Sequence, residues 1–506
     1  MLTEFCTGVV CIPGFLLRHL LMLISVNHYV TNFFSTQTIQ LMKTRTTYNG
    51  PVGYFVESFL ITAIAATLIF FSSCKKNSDL KSTSDTVTTI ADASFARLSS
   101  KPNIVLVFAD DIGYEVPTVY GGQSYQTPNI DRMAQQGMRF THCYSSPLCS
   151  PSRITLVTGK YNFRNYDEWG VLHTTEKTFG NILKDAGYAT YVAGKWQMDG
   201  GDRAIKQFGF DQYSVWNAVK DGEAPGSHYK NPKIFENGAY LPDSYTDGKY
   251  GDDIFTDRIL NFIDANKSNP FFVYYPITLC HAPYCPTPAD AEFKSWNPKG
   301  NPSDISFFPS MVKYMDAQIG LITDKLTSLG LSENTIVIFS SDNGTPSDIR
   351  SLYNGKWIEG GKSNTNKWGT NVPMTILWPG IIQPGQVNDN LIDFTDFLPT
   401  FAELGGTTVP VTYGIVDGKS FARQLTGQTY TPRDWVFNHY EPNTNKGSTT
   451  FKRWINDKVY KLYDITGKFY NIELDPDENA PIAERKQTAE EKAIIKNFQS
   501  IMNTLK

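Results

Sequence analysis

Cysteine is scarce in this chain: seven residues, at 6, 11, 74, 143, 149, 280 and 285, in a total of 506. So few thiols spread over so long a chain exclude a small disulfide framework. The spacing of Cys280 and Cys285 permits a bridge, but buried free thiols are the expected state for both. An excess of one charge sign is lacking too. Forty-six Lys and Arg stand against 50 Asp and Glu, net −4, and no basic run is long, which excludes an extended nucleic-acid surface. The apolar run Phe59–Phe71 (FLITAIAATLIFF) has 13 residues, short of the roughly 18 that a comfortable membrane span needs. Internal repeats are absent as well. What is present is an ordinary globular balance, 41% apolar and 19% charged, long enough for one large α/β domain with a smaller appendage.

The short apolar run has the length of a signal-peptide core. Ser72-Ser73-Cys74-Lys75-Lys76 follows it, and small residues before a cysteine resemble a bacterial lipoprotein cleavage site with the lipid on Cys74. Met42-Lys43-Thr44-Arg45 supplies the positive region before the core. Residues 1–41 therefore read as a mis-called extension, 42–73 as the signal peptide and 74–100 as a flexible tether rich in Ser, Thr, Asp and Lys. The expected location is exported and lipid-anchored to a bacterial membrane. The competing reading is an uncleaved anchor that combines 59–71 with Phe15–Ile24.

From Lys101 onward, apolar strands alternate with amphipathic helices, the pattern of a large, mostly parallel sheet covered on both faces. Asn103–Ala109, Phe271–Ile277, Thr335–Ser341 and Met374–Trp378 are expected strands. Phe255–Ala265, Met311–Leu329 and Phe397–Leu404 are expected helices; in the second, Met311, Met315, Ile319 and Ile322 share one face. Three strands end in polar residues: Asp110-Asp111, His281 a few residues on, and Asp342-Asn343. Ligands of open α/β sheets bind beyond the carboxyl ends of the strands, so these clusters should meet at one rim. The expected domains are 101–431 and a C-terminal α+β part, 432–506. In the latter, Trp435–Glu441 and Lys458–Ile465 read as strands of a small antiparallel sheet. The apolar stripe of Ala489–Lys506 reads as a helix with a docking face.

Leu148-Cys149-Ser150-Pro151-Ser152-Arg153, with Leu156-Val157-Thr158-Gly159-Lys160 behind it, resembles the C-x-P-S-R and L-x-T-G signature of the type I sulfatases. The plain alternative is a buried cysteine beside a proline turn. The resemblance spans nearly all of 101–480 and implies the alkaline-phosphatase-like fold of that family. It also implies that a formylglycine-generating maturation enzyme oxidises Cys149. A thiol attacking a sulfate ester would leave a stable adduct, whereas a hydrated aldehyde attacks with one hydroxyl and expels sulfate when the other loses a proton. At the start of a helix, the unpaired amides would favour developing negative charge.

The same resemblance implies further roles. Asp110 and Asp111, Asp342 and Asn343 (in Ser341-Asp342-Asn343-Gly344) and the matured Cys149 would ligate a metal. An all-oxygen site suits Ca²⁺ first and Mg²⁺ second. Lys195, in Gly194-Lys195-Trp196, and Lys362 would hold sulfate oxygens. His281 would protonate the leaving alcohol, and Arg153 would steady the nucleophile and offset the acids. Asp342 would serve as base to the attacking hydroxyl. The match at Lys362 is softer, because Lys367-Trp368-Gly369 stands where an acidic-Gly-Gly element is expected. One departure matters: the family usually has histidine after G-K-W, and this chain has Gln197, which hydrogen-bonds but accepts no proton.

The expected activity is hydrolysis of a sulfate ester, with a sulfated carbohydrate as partner. Two alternatives stay open: a phosphonate or phosphate monoester hydrolase of the same superfamily, and a surface glycan-binding lipoprotein that has lost catalysis. Asp211–Tyr250, dense in Tyr, Trp, Asn and Gly and carrying His228, reads either as a stacking wall for a sugar or as an ordinary surface loop.

Overall fold

The run Asn103–Ala109 forms strand β1, buried at every position, as a strand covered on both faces must be. This computed structural model describes residues 101–198, 200–218, 226–442 and 451–505; the expected signal segment, Cys74 and the tether lie outside the described residues. In chain order the next strands are β2 (Met138–Tyr144), β3 (Ala189–Lys195), β4 (Gln212–Trp216), β5 (Phe235–Glu236), β6 (Ala239–Tyr240), β7 (Phe271–Tyr275) and β8 (Thr335–Ser341). The hairpin β9 (Arg350–Tyr353) and β10 (Lys356–Glu359) precedes β11 (Asn371–Leu377) and β12 (Gln386–Asp393).

Ten of these strands make one sheet, in the order β12-β2-β11-β8-β1-β7-β3-β4-β5-β6. β8, β1, β7, β3 and β4 run parallel, with Asn103 opposite Thr335 and Ala109 opposite Ser341. β11 is antiparallel to both β8 and β2, so β2 points the same way as β8. Successive side chains of β1 go to opposite faces. Ile104, Leu106 and Phe108 join a core with Ile154, Phe179 and Phe397 from three helices. Val105, Val107 and Ala109 join a second core with Ile130, Ile254 and Met311 from three others. The sheet is thus covered on both sides, as the alternation of strands and helices predicts.

Some element ends differ from expectation for local reasons. The strand expected to reach Ile277 stops at Tyr275, because Pro276 has no N–H for the ladder. β11 begins at Asn371 rather than Met374, since Asn371 and Val372 pair with Tyr144 and Cys143 across an irregularity at Pro373. The helix Phe308–Ser328 buries Met311, Met315, Ile319 and Ile322 as the spacing requires.

At the C-terminal end, β13 (Val436–Tyr440), β14 (Lys452–Asn456), β15 (Tyr460–Tyr463) and β16 (Phe469–Asn471) form an antiparallel sheet in that order. The helix Ala489–Thr504 starts in a capping box, the Thr488 side chain accepting from the Glu491 amide and the Glu491 side chain accepting from the Thr488 amide. Its Phe498 and Met502 pack on Phe437, Ile455, Leu462 and Phe469 of the small sheet.

Candidate active site

Five parallel-running strand ends deliver the chemistry-bearing residues to one rim. Asp110 and Asp111 leave β1, Asp342 and Asn343 leave β8, Lys195 is the last residue of β3, and His281 follows β7. Cys149 is the first residue of the ten-residue helix Cys149–Thr158 that follows β2. Lys362 arrives from the turn after the β9–β10 hairpin. Two glycines permit the close approaches. A Cβ on Gly344 would stand 1.9 Å from the Trp368 carbonyl oxygen, so Ser341-Asp342-Asn343-Gly344 seats against the turn at 367–370 only without a side chain there. Gly194 has φ +117°, and a Cβ on it would lie 2.2 Å from the Pro276 carbonyl oxygen, where β3 turns Lys195 into the site.

The site is a buried ionic cluster. Lys195 Nζ lies 2.5 Å from Asp110 Oδ2, with both side chains almost fully buried. Arg153 donates to Asp342 Oδ2 from Nε at 3.1 Å and from Nη2 at 2.7 Å, and its Nη2 is 3.7 Å from Asp110 Oδ1. Lys362 Nζ lies 2.6 Å from Asp111 Oδ2. The Asp111 amide donates to Asp342 Oδ1 at 3.1 Å, and Asn343 Nδ2 donates to Asp111 Oδ1 at 2.8 Å. Three carboxylates therefore face three cations, and the protein's own charges cancel.

Burial alone would raise the Asp110 carboxyl, but Lys195, His281, Arg153 and Lys362 outweigh it and hold it well below the usual range. Asp342 moves the other way: burial and the neighbouring Asp110 push it up against the pull of Arg153. Burial raises the Cys149 thiol, with Lys195 opposing. As a thiol, Cys149 is therefore protonated and a poor nucleophile at neutral pH.

The donor set fits a hard divalent cation. Asp110 Oδ1 and Asn343 Oδ1 are buried without a hydrogen-bond partner, an arrangement that costs free energy unless something positive is held there. Ligand atoms of Asp110, Asp111 and His281 lie within 4.8 Å of one another. The structure thus brings His281 to the acidic pair.

Cys149 Sγ stands where a formylglycine oxygen would stand, and it accepts a hydrogen bond from Gln197 Nε2 at 3.3 Å. Gln197 adopts φ +52°, and its Oε1 is buried without a partner. The residue that departs from the family pattern therefore touches the nucleophile position directly. The His281 Nδ1 atom is 2.6 Å from the Ala282 carbonyl oxygen; the carbonyl only accepts, so Nδ1 carries a proton. Burial and Lys195 depress the His281 imidazole, while Asp110 and Asp111 pull it up.

Beyond His281 opens a cleft of about 940 Å³ with Trp216, His228 and Trp296 in its walls. Part of Asp211–Tyr250 is thus a wall beside the site, although β4, β5 and β6 also draw that stretch into the sheet. His228 lies 6.1 Å ring to ring from His281 and 4.2 Å from Trp216. Trp296 and Lys230 had no legible signal in sequence. Lys230 Nζ donates to the carbonyls of Phe293, Lys294 and Trp296, so it pins a loop and is not a free cation.

A family model described as Sulfatase matches residues 102–407, more than half of the chain. The chain belongs to the sulfatase family. A second sulfatase model, N-sulphoglucosamine sulphohydrolase, C-terminal, matches residues 365–506. Among curated sulfatases, the arylsulfatase of Hemicentrotus pulcherrimus is 31% identical over 68% of this chain and 65% of its own length. The N-acetylgalactosamine-6-O-sulfatase of Bacteroides thetaiotaomicron is 27% identical over 81% of this chain and 94% of its own. The solved structure of BT4656 in complex with its substrate D-glucosamine-2-N,6-O-disulfate superposes with a TM-score of 0.65 at 22% identity, covering 80% of this chain and 98% of that one. The chain spans about 65% of the length of the first curated sulfatases it matches. Members of this family use formylglycine and a divalent metal.

Proposed function

We propose that this chain is a sulfuric ester hydrolase that removes sulfate from a sulfated carbohydrate. Its nucleophile would be formylglycine made from Cys149, beside a bound Ca²⁺, with Mg²⁺ the second choice. The observation that carries this reading is the burial of Cys149 at a helix start beside Gln197, at the rim that also holds the three-acid, three-base cluster. The names of similar sulfatases point the same way: the C-terminal family model is that of an N-sulphoglucosamine sulphohydrolase, one relative is an N-acetylgalactosamine-6-O-sulfatase, and one solved structure holds a sulfated glucosamine.

When bound, the cation would supply positive charge beside the nucleophile and the sulfuryl oxygens, and the oxidised Cys149 would supply a hydroxyl. The remaining work falls to side chains of the buried cluster. Arg153 holds Asp342 in place and offsets its charge. Lys195 and Lys362 balance charge on the non-bridging sulfate oxygens as sulfur–oxygen cleavage proceeds. His281 transfers a proton to the departing alcohol oxygen from Nε2, since Nδ1 is engaged with Ala282. Gln197 orients the nucleophile by its amide. Because the protein's own charges cancel, the dication would leave the site net positive, suited to an anionic ester.

A phosphonate monoester hydrolase uses much the same furniture. Sulfate and phosphonate monoesters of one alcohol, compared on one preparation, separate the two: a kcat/KM ratio favouring sulfate supports the proposal and the reverse sinks it. A glycan-binding protein without catalysis needs no buried ionic cluster around a cysteine. Mass spectrometry of the Cys149 peptide from the native host is expected to show formylglycine. Asp342→Asn, nearly isosteric, is expected to leave the fold intact and abolish turnover. Unconverted cysteine in native, active protein would overturn the assignment. Export as a lipoprotein on Cys74 is part of the same proposal, supported by the apolar run Phe59–Phe71 and the Ser72-Ser73-Cys74 that follows it.

A further inference from the structure

The segment that carries His281 is held from two sides by groups with no part in the reaction as drawn. Tyr229, buried to 2% exposure, points its hydroxyl between two main-chain oxygens, Thr278 at 2.9 Å and His281 itself at 2.7 Å. Its ring is fixed by stacking on Tyr250, centroids 5.4 Å apart at 14°. On the other side, Asp252 accepts from the Thr278 amide at 3.1 Å and from the Thr278 hydroxyl at 2.7 Å. The Cys280 amide donates to the Asp110 carbonyl at 2.7 Å, tying the same segment to the end of β1. The His281 amide donates to the Thr278 carbonyl at 3.1 Å, closing a turn on the atom that Tyr229 also holds.

We propose that Tyr229 is a positioning residue for proton transfer: its hydroxyl, shared between the Thr278 and His281 carbonyls, sets where the His281 imidazole stands relative to the leaving oxygen. The inference rests on the sulfatase reading and on His281 as the proton donor. The main chain of His281 has only a short lever to its own ring, and the ring's Nδ1 is already tied to the next carbonyl. A shift of the His281 peptide therefore moves Nε2 with it. Proton transfer is steep in distance, and a misplacement on the order of 1 Å costs up to about a hundredfold. Both hydrogen bonds of the Tyr229 hydroxyl end on main-chain oxygens of the His281 segment, so removing that oxygen acts first on this segment.

The test uses two esters whose leaving groups differ in their need for a proton, 4-nitrophenyl sulfate and phenyl sulfate, on matured enzyme. 4-Nitrophenolate leaves with little help; phenolate needs His281. Tyr229→Phe removes one oxygen and keeps the ring. It is expected to lower kcat/KM for phenyl sulfate roughly tenfold while 4-nitrophenyl sulfate stays within about twofold, with KM little changed for either. His281→Ala is expected to give the same graded pattern, larger in size. If Tyr229→Phe folds poorly, Asp252→Asn disturbs the same segment from the opposite side and is expected to show the same grading. Equal losses on both esters, or no loss on either, overturn the positioning role while His281→Ala still grades. If His281→Ala does not grade, or wild-type enzyme cleaves neither ester, the proton-donor or sulfatase reading falls first and takes this inference with it.

Discussion

Replacing Lys195 with methionine removes one cation from a cluster whose charges cancel in pairs. Lys195 Nζ is 2.5 Å from Asp110 Oδ2, and the two side chains are 1% and 0% exposed. At an effective dielectric of about 20, that separation is worth roughly 6–7 kcal/mol of attraction, most of it offset by the cost of burying both groups. Breaking a buried pair from one side typically costs about 3–5 kcal/mol, because the remaining charge stays buried. Arg153, at 3.7 Å, is then the ion-pair partner left beside Asp110, with His281 and Lys362 still pulling on the carboxylate. In chelator, Lys195→Met should therefore melt lower than wild type by on the order of 5 °C. Added Ca²⁺ then meets a carboxylate with no competing ammonium. A ligand at about 100 times its Kd stabilises by roughly 2.7 kcal/mol, so the Ca²⁺-induced rise in Tm should be larger in the variant than in wild type. Thermal unfolding of both proteins, with chelator and with Ca²⁺, reads all four values without reference to turnover. A chelated variant melting within about a degree of wild type, or Ca²⁺ shifting neither protein, would refute the charge argument. If Lys195 holds a sulfuryl oxygen, as proposed above, turnover should also fall, on the order of 10²–10³-fold.

Three other outcomes are expected. If Gln197 only orients the nucleophile, sulfuryl transfer limits turnover and no pre-steady-state burst appears; a burst of about one equivalent of alcohol, abolished by Gln197→His, would show that sulfate expulsion is limiting. Burial, aided by Lys458 and Lys367 at His142 and by Arg453 at His439, brings both imidazoles down to about 4. Each folded value lies below the unfolded value of ~6.5, so the stability they contribute is complete above that pH and is lost as pH falls toward 4, at most about 3 kcal/mol per group. The double variant His142→Gln/His439→Gln should accordingly show a smaller drop in Tm between pH 6.5 and pH 4.5, and an unchanged drop would count against buried neutral histidines. Finally, Cys74→Ala should shift the protein from the membrane fraction to the soluble one or block its processing; unchanged retention and processing would favour a helical anchor upstream.

Local pattern carried much of this molecule. A strand buried on both faces leaves a continuous apolar run, which is why Asn103–Ala109 and Thr335–Ser341 are legible to the residue. A helix on a sheet leaves a 3.6-residue rhythm, which is why Met311 to Ile322 could be placed on one face. Cys149, Arg153 and the acidic pairs stand in compact motifs, and it is the resemblance of those motifs to the sulfatase signature, more than any one spacing, that singles them out in the sequence. Short strands such as β14 and β16 leave no such trace, because three to five residues, without alternating exposure, carry too little period to tell a strand from a loop.

The pairing of charges belongs to the folded chain alone. Lys195 meets Asp110 across 85 positions and Lys362 meets Asp111 across 251, and although each residue stands in a short motif, nothing local says which cation meets which acid. The same holds for the orphaned oxygens of Asp110 and Asn343, for the contact of Gln197 with Cys149, and for the hold of Tyr229 on the His281 segment. Each depends on which strand ends share a rim. Strand order places β7 and β8 on either side of β1, and long-range packing sets that order, because the period of a strand says which face a side chain takes but not which strand lies beside it.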